Sequence, residues 1–136
     1  MNRVRRIPNR LAELRPLAAW AVEIAAELGC PEARCSDVDL CLNEAVSNVI
    51  RHGYGDDRPH EIAVELARER NQLVMRIEDD AKAFDPLALP KPKITSLDEA
   101  PPAGRGIVLM RSAADAASYE RHEGKNRLTL RFSIGD

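Results

Sequence analysis

Apolar residues return every three or four positions over residues 9–29, which is the period of an amphipathic helix. The stretch is rich in alanine and leucine, which favour helix, and it ends at Gly29. Pro16 lies near its beginning, where proline either kinks a helix or occupies its first turn. The sequence therefore predicts a first helix here, with Pro16 as an early kink or as the true start.

A second helical period covers residues 37–52. Ser36 or Asp37 can cap its N-terminus through a side-chain oxygen. Gly53 and Gly55 follow the last periodic residue and can adopt the positive φ that ends many helices. These signals predict a second helix that stops just before Gly53.

Farther along the chain the period changes, and apolar residues alternate with polar ones as in a strand with one buried face. Residues 60–69 and 72–79 alternate in this way and predict a hairpin. Residues 117–134 predict a second, final hairpin, in which the apolar residues of its last strand share a face.

A proline-rich segment, residues 79–106, follows the first hairpin and holds five of the nine prolines. Long aperiodic loops inside compact domains are usually functional. The segment leads into a short predicted helix over residues 106–115, opened by Gly104 and Gly106.

Two early helices, with hairpins and one helix later, indicate an α/β two-layer sandwich with helices packed on one face of a mixed, largely antiparallel sheet. A chain of 136 residues has the size of one ordinary domain. We therefore expect a single domain over residues 1–136, with residues 86–103 as a loop at its edge.

Charge and hydropathy argue against two classes of partner. The net charge is −2, and the basic residues cluster only near the start of the chain, so nucleic acid is not an expected partner. No apolar run approaches the roughly 18 residues that cross a bilayer, and the first ten residues lack the apolar core of a signal peptide. The cytoplasm is the expected location, with no membrane association.

Three cysteines, Cys30, Cys35 and Cys41, form an odd set in a chain of this size. An odd number favours reduced thiols over a disulfide framework. A structural zinc site needs four ligands, and no second ligand pair matches these cysteines. We expect buried or half-buried thiols.

The second predicted helix carries a polar face that has two possible explanations. At about 100° per residue, Asn48 lies only about 40° around the helix from Glu44, and Arg51 and His52 fall on the same side. The apolar residues lie on the opposite side. A solvated surface and a functional site both predict this arrangement, so the helix alone does not distinguish them.

Two further segments hold candidate chemistry, each with an ordinary alternative. Asp79 and Asp80 end a strand, where a carboxylate can accept a hydrogen bond from a buried ligand, although Asp-rich turns are common. Gly104 and Gly106 open a helix, where free backbone N–H groups suit a phosphate, although glycines begin many helices.

In their order and spacing, these segments resemble the anti-sigma factor serine/threonine kinases, a family of the GHKL superfamily of histidine kinase-like ATPases. EAVSNVIRHGY, residues 44–54, resembles the family's Glu-Ala-x-x-Asn-x-x-x-His-x-Tyr segment and is the most specific match. EDDAKAFDP, residues 78–86, is similar to Asp-x-Gly-x-x-Phe-Asp-Pro, and GRGIVLMR, residues 104–111, is similar to the family's stretch that begins Gly-x-Gly. The resemblance covers roughly residues 8–134.

The resemblance implies ATP and Mg²⁺ as the nucleotide and the metal, with a role for each matched residue. Glu44 would be the general base for an attacking serine hydroxyl, Asn48 would coordinate Mg²⁺, and Asp79 would accept the adenine amino group. Residues 86–103 would form an ATP lid. The nucleotide-binding residues implied in this way are Asn48, Asp79, Ala81, Phe84, Gly104, Arg105, Gly106 and Asn126.

The sequence departs from the family pattern at three positions. Ala81 replaces a glycine, and if that position needs positive φ or a close approach to adenine, alanine costs on the order of 1 kcal/mol or narrows the pocket. Ala103 replaces another glycine found in many relatives. The last hairpin lacks the Gly-Thr found elsewhere in the superfamily, which leaves Asn126 as a possible substitute.

The resemblance implies an anti-sigma regulatory factor that binds a sigma factor and phosphorylates a serine of its antagonist protein, and it makes a homodimer plausible. The alternative is a partner-switching module that retains nucleotide binding but transfers no phosphate. Glu44 favours the kinase, whereas Ala81 leaves room for the silent module. The detached catalytic domain of a histidine kinase would need a dimerising phospho-acceptor helix pair, for which 136 residues leave no space.

Overall fold

The computed structural model describes residues 3–88 and 102–135. The strands are β1 (Arg3–Pro8), β2 (Glu61–Glu69), β3 (Gln72–Asp79), β4 (Ala116–His122) and β5 (Lys125–Ser133). The helices are α1 (Leu14–Glu27), α2 (Glu32–His52) and α3 (Pro102–Ala113), and 3-10 turns cover Leu11–Glu13 and Pro86–Ala88. Residues 89–101, which hold most of the expected lid, lie outside the described residues.

The five strands form one sheet in the order β1-β2-β3-β5-β4, and every neighbouring pair is antiparallel. The inward residues of β3 and β5 pair directly, for example Met75 with Leu130, and pack with α1 and α2 in one apolar core. The predicted two-layer sandwich is confirmed, in its antiparallel form. Both predicted hairpins are confirmed, because period-two alternation matched to a buried face sets their register.

Strand β1 is absent from the sequence prediction. Its sequence RVRRIP buries only Ile7, so it shows no run of alternating apolar residues. The strand exists because Ile7 pairs with Ile62 at the edge of the sheet. Pairing with a neighbour, and not local pattern, decides this strand.

Helix α1 begins at Leu14, so Pro16 is its third residue and lies in the first turn, two residues after the true start. At its end Gly29 has φ 98°. The N–H groups of Gly29 and Cys30 donate to the carbonyls of Ala26 and Ala25, at 3.0 and 2.9 Å, which is a Schellman motif.

The predicted start of α2 is wrong by more than a turn. The helix begins at Glu32, with Pro31 at the N-cap, and Pro31 O accepts the N–H groups of Arg34 and Cys35 at 2.9 and 3.0 Å. Pro31 can start the helix because its fixed φ of −63° sets the direction of the chain and its extended ψ places it just outside. Asp37 does not cap the helix but pairs with Arg34 at 2.6 Å.

Arg34 joins the first turns of α2 to the end of the sheet. Its guanidinium pairs with Asp115, donates to Ser133 O at 3.3 Å, and lies 5.6 Å from the ring centre of Phe132. The sequence gives no sign of this link, because its partners come from the far end of the chain.

The face of the sheet away from the helices is polar. Arginine and glutamate side chains on neighbouring strands pair across it, as in Arg127 with Glu78 at 2.9 Å and Arg131 with Glu69 at 3.1 Å. Hydrogen bonding from Arg127 lowers the pKa of Glu78. No helix in residues 3–88 and 102–135 is long and apolar enough to span a membrane.

Candidate functional site

A cavity of about 590 Å³ lies between α2, α3 and the ends of β3 and β5. Its size is typical of small-molecule sites. Most of the residues predicted from the sequence line it, although they come from four different elements and from the segment that follows β3. These are Glu44, Asn48, Asp79, Ala81, Phe84, Gly106 and Asn126. Gly104 and Arg105 lie in the first turn of α3, and their side-chain surroundings are outside the described part of the chain.

We call Glu44, Asn48 and Gly106 the helix end of the cavity. Glu44 and Asn48 are half-buried on one face of α2, one turn apart, and both line the cavity. Neither side chain takes part in a hydrogen bond with any other described residue. Glu44 and Asn48 therefore face a concave site, whereas Arg51 and His52 on the same side of α2 are exposed.

Gly106 lies directly against Glu44. A Cβ built on Gly106 would come within 2.1 Å of Glu44 Oε2. The Glu44 carboxylate can therefore lie where it does only because Gly106 has no side chain.

The prediction that Gly104 and Gly106 open α3 is wrong. The helix begins at Pro102, so Gly104 is its third residue and Gly106 its fifth. Proline suits a first helical turn because its missing N–H would have no partner there. Gly106 matters here for the space it leaves beside Glu44, and it lies too far into the helix to present a free N–H group.

We call Asp79, Ala81 and Asn126 the strand end of the cavity, and all three residues are buried. Asp79 Oδ1 accepts the Asn126 Nδ2 amide at 2.9 Å and the Ala81 N–H at 3.0 Å. Burial raises the pKa of Asp79, and these two hydrogen bonds oppose the shift by favouring the carboxylate. Within the described residues Oδ2 receives no hydrogen bond, so this oxygen is available to a ligand in the cavity.

Ala81 was expected to cost affinity if its position needed positive φ. Among the described non-glycine residues only Arg70 and Glu123 have positive φ, so Ala81 is not strained in this way. Its methyl group lies beside Gly53, where a built Cβ would come within 2.8 Å of it. Gly53 thus leaves the room that the alanine methyl needs.

The prediction of positive φ for Gly53 and Gly55 is wrong. Gly53 has φ −81° at the C-cap of α2, and Gly55 is not among the described glycines with positive φ. The physical reason for a glycine at position 53 is close approach, since its Cβ would also lie 2.7 Å from Val49 O. Its carbonyl accepts the Lys82 N–H at 3.3 Å, which ties α2 to the turn after β3.

The turn after α2 is supported by an aromatic stack. The rings of Tyr54 and His60 lie 4.1 Å apart and nearly parallel. His60 Nε2 is 2.8 Å from Asp56 Oδ1, and Nδ1 is 3.3 Å from Asp80 Oδ2. Tyr54 is therefore part of the turn that ends the helix.

Sequence reasoning missed two residues at the strand end, Tyr119 and Arg121. The Tyr119 hydroxyl donates to Asn126 Oδ1, and Arg121 Nη1 donates to Ala81 O at 2.7 Å. The β4–β5 register could have indicated Arg121. A two-residue turn at Glu123 and Gly124 sets this register and places Arg121 opposite Asn126.

The cysteines match their prediction. Cys30, Cys35 and Cys41 are free and buried, and burial raises the pKa of Cys30 and Cys41 to about 12. In residues 3–88 and 102–135 no group of histidine, cysteine and acidic residues is arranged to hold a metal ion. These thiols belong to the core.

The fold agrees with comparisons to known proteins. A crystal structure of the RsbU and RsbW domains of a Mycobacterium tuberculosis protein superposes with a TM-score of 0.64 at 17% identity, covering 97% of this chain and 32% of that one. At this identity the match shows the fold alone.

Among curated proteins, the chain is 40% identical over 92 residues to the serine/threonine-protein kinase BtrW of Bordetella bronchiseptica, a match that covers 67% of this chain and 65% of BtrW. It is 23% identical over 119 residues to the serine-protein kinase RsbW of Bacillus subtilis, which covers 83% of this chain and 74% of that protein. The profile of the histidine kinase-like ATPase domain matches residues 7–132, nearly the whole chain. The chain therefore belongs to the histidine kinase-like ATPase domain family.

Proposed function

We propose that this protein is an ATP-dependent serine/threonine protein kinase that acts as an anti-sigma regulatory factor. One observation carries the proposal: Glu44 and Asn48 project from α2 into the same cavity whose other end is closed by the buried Asp79. A base, a metal ligand and an acceptor for a nucleobase would then share one site. The names of the relatives, both protein kinases, support it.

The strand end suits a nucleobase with an exocyclic amino group. Asp79 is held by two hydrogen bonds on Oδ1, which leaves Oδ2 to accept from the amino group of adenine. Ile77, Met110 and Leu128 line the cavity with apolar surface that can contact the flat faces of the base.

The helix end suits Mg²⁺ and phosphate. Magnesium prefers oxygen ligands and is usually bound by one or two protein groups together with substrate phosphates. Asn48 offers an amide oxygen that no described residue occupies, and it would hold the ion. Mg²⁺ would neutralise negative charge on the phosphates.

Glu44 would act on the serine hydroxyl of the substrate protein. The serine oxygen forms a bond to the γ-phosphorus, the bond from that phosphorus to the β,γ-bridging oxygen breaks, and ADP leaves. Glu44 accepts the hydroxyl proton as the oxygen attacks. Gly106 leaves room for the carboxylate in this placement, because any side chain there would displace it.

The partners follow from the family resemblance. The substrate protein would be a serine-containing antagonist of a sigma factor, and the sigma factor would be the alternative partner. Both act inside the cell, so the cytoplasm is the proposed location. A homodimer is part of the proposal on the same ground.

The experiment is transfer of labelled phosphate from ATP to an antagonist protein encoded near this chain. Glu44→Gln should reduce transfer at least about 100-fold because the base is lost. It should leave ATP binding, measured by calorimetry, unchanged. Glu23→Gln, an exposed change on α1, is the matched control and should behave as wild type.

Calorimetry with and without Mg²⁺ tests the metal assignment. Asn48→Ala should lose the Mg²⁺-dependent part of the ATP affinity, and equal heats for the variant and wild type would contradict it. ATP binding without transfer by the wild type would favour the catalytically silent module over the kinase. The residue that left room for that module, Ala81, has a methyl group that fits beside Gly53 and also lines the cavity.

A further inference from the structure

Asn126 is the most heavily bonded polar side chain of the cavity. It lies at the beginning of β5, opposite Asp79 on one side and Arg121 on the other. Its Nδ2 group donates to Asp79 Oδ1 at 2.9 Å, to Lys82 O at 3.0 Å and to Ala81 O at 3.3 Å. The nitrogen thus holds both the Asp79 carboxylate and the chain that follows it.

The oxygen of the same amide is equally occupied. Asn126 Oδ1 accepts the Tyr119 hydroxyl, Arg121 Nη1 at 3.1 Å and the Phe84 N–H at 3.4 Å. Donors surround Oδ1 and acceptors surround Nδ2, so the orientation of the amide is determined by its surroundings. An amide with two N–H groups and two lone pairs has no capacity left for a nucleotide.

We propose that Asn126 is a positioning residue for base selection, held by Tyr119 and Arg121, which acts through Asp79 and does not itself touch the nucleotide. The inference rests on the proposed function, since it assumes that the cavity binds ATP. It replaces the expectation that Asn126 binds adenine directly.

The geometry explains how such a residue would select a base. With Oδ1 occupied, Asp79 presents only Oδ2 to the cavity, in one direction. A base with an amino group opposite Oδ2 gains a hydrogen bond to a charged acceptor. A base with a carbonyl oxygen there faces a second acceptor and leaves both unpaired, which is strongly disfavoured in a buried site. Without Asn126 the carboxylate can rotate and the selection weakens.

Tyr119 connects this selection to strand β4. The strand is largely exposed at the edge of the sheet, and Tyr119 is its half-buried residue. Replacing Tyr119 by phenylalanine removes one hydroxyl donor while the ring remains. The neighbouring Ser118 is exposed and, by alternation along the strand, points to the other face.

The test compares the affinities of ATP and purine riboside triphosphate, which is ATP without its 6-amino group. Wild type should prefer ATP by about tenfold or more, the value of one hydrogen bond to a charged group. Asn126→Ala should reduce this preference to about twofold, and Tyr119→Phe should reduce it to an intermediate value. Ser118→Ala should leave the preference at the wild-type value.

A general loss of stability would weaken both nucleotides alike, so the ratio of the two affinities reports positioning. A wild-type ratio in both Asn126→Ala and Tyr119→Phe would overturn the inference while the proposed function stands. Equal weakening of both nucleotides in Asn126→Ala, with the ratio unchanged, would overturn it too, because Asn126 would then have no effect on the contact between Asp79 and the 6-amino group. If Asn126→Ala does not fold, Tyr119→Phe against Ser118→Ala decides. Failure of the wild type to bind either nucleotide would remove the proposed function and the inference together.

Discussion

At the strand end of the cavity Asp79 and Asn126 hold one another in a closed set of hydrogen bonds, whereas at the helix end Glu44 and Asn48 bond to no other described residue. The strand end is buried and the helix end half-buried. The strand end is hydrogen-bonded in advance except at Asp79 Oδ2, whereas at the helix end no described residue bonds to the side chains of Glu44 and Asn48. This is the division expected if one end recognises a base, and the other is completed by phosphate, metal and a protein substrate.

The difference also shows how the two ends tolerate change. Side chains that are already hydrogen-bonded lose little conformational freedom when a ligand binds. Recognition at the strand end therefore depends on the hydrogen bonds around Asp79. At the helix end, the placement of a side chain that no described residue bonds depends on the shape of the backbone beside it. For Glu44 that backbone is Gly106.

The largest effect is expected from Gly106→Ala at the helix end. The new methyl carbon would lie only 2.1 Å from the present position of Glu44 Oε2. It would therefore push the carboxylate away from the attacking hydroxyl. Displacement of a catalytic group by about 1 Å can lower a rate on the order of 100-fold, so phosphate transfer should fall by about that factor. Gly55→Ala is the control, since its Cβ would meet nothing within 4 Å. Similar losses in the two variants would contradict the role of Gly106.

A smaller effect is expected from Gly53→Ala at the strand end. Its Cβ would meet the Ala81 methyl at 2.8 Å and Val49 O at 2.7 Å, so the free energy of unfolding should fall by about 1–3 kcal/mol. Urea denaturation measures this change.

The double variant Gly53→Ala/Ala81→Gly should recover part of that loss, because only the contact with Val49 O remains. Strictly additive effects of the two substitutions would show that positions 53 and 81 do not compensate one another. Ala81→Gly alone completes the cycle.

The smallest expected effect is a dependence of stability on pH. It involves the turn after α2, which supports the strand end of the cavity. Hydrogen bonding to Asp56, and then to Asp80, raises the pKa of His60 above its ordinary value of 6.5. A raised pKa in the folded state means that the stabilisation is fully present below pH 6.5 and is lost as the pH rises through the folded-state value. We therefore expect a modest fall in stability above neutral pH, which His60→Gln abolishes.

Thermal unfolding followed between pH 6 and pH 9 measures this dependence. His122→Gln, a change at an exposed ring on β4, is the control and should keep the wild-type profile. A wild-type profile in His60→Gln would show that the cluster around His60 does not carry the effect.

Much of the site could be predicted because its residues lie in short motifs. Glu44 and Asn48 are one turn apart, and Asp79 ends a strand whose alternation is regular, so local periods place each of them correctly. The helix period could not say whether the polar face of α2 meets water or a ligand. That required the opposite wall of the cavity, which comes from β3, β5 and α3.

The errors have two physical causes. Strand β1, the start of α2 at Glu32 and the start of α3 at Pro102 all differ from what local signals favour. In each case a residue with an ordinary propensity was outweighed by a contact with a distant segment or by the fixed geometry of proline. The same holds for Gly53, whose role is space for Ala81 and not positive φ.

The order of helices and hairpins and the two-layer architecture follow from local periodicity and spacing, because these act over a few residues, whereas the roles of the candidate site residues follow from the family resemblance. Only the tertiary structure shows that Gly53 leaves room for Ala81 and that Gly106 leaves room for Glu44. The hydrogen bonds from Tyr119 and Arg121 to Asn126 are likewise visible only in the folded molecule. Each of these joins segments far apart in the chain. Close packing and buried hydrogen bonds are properties of such junctions, and a linear sequence does not display them.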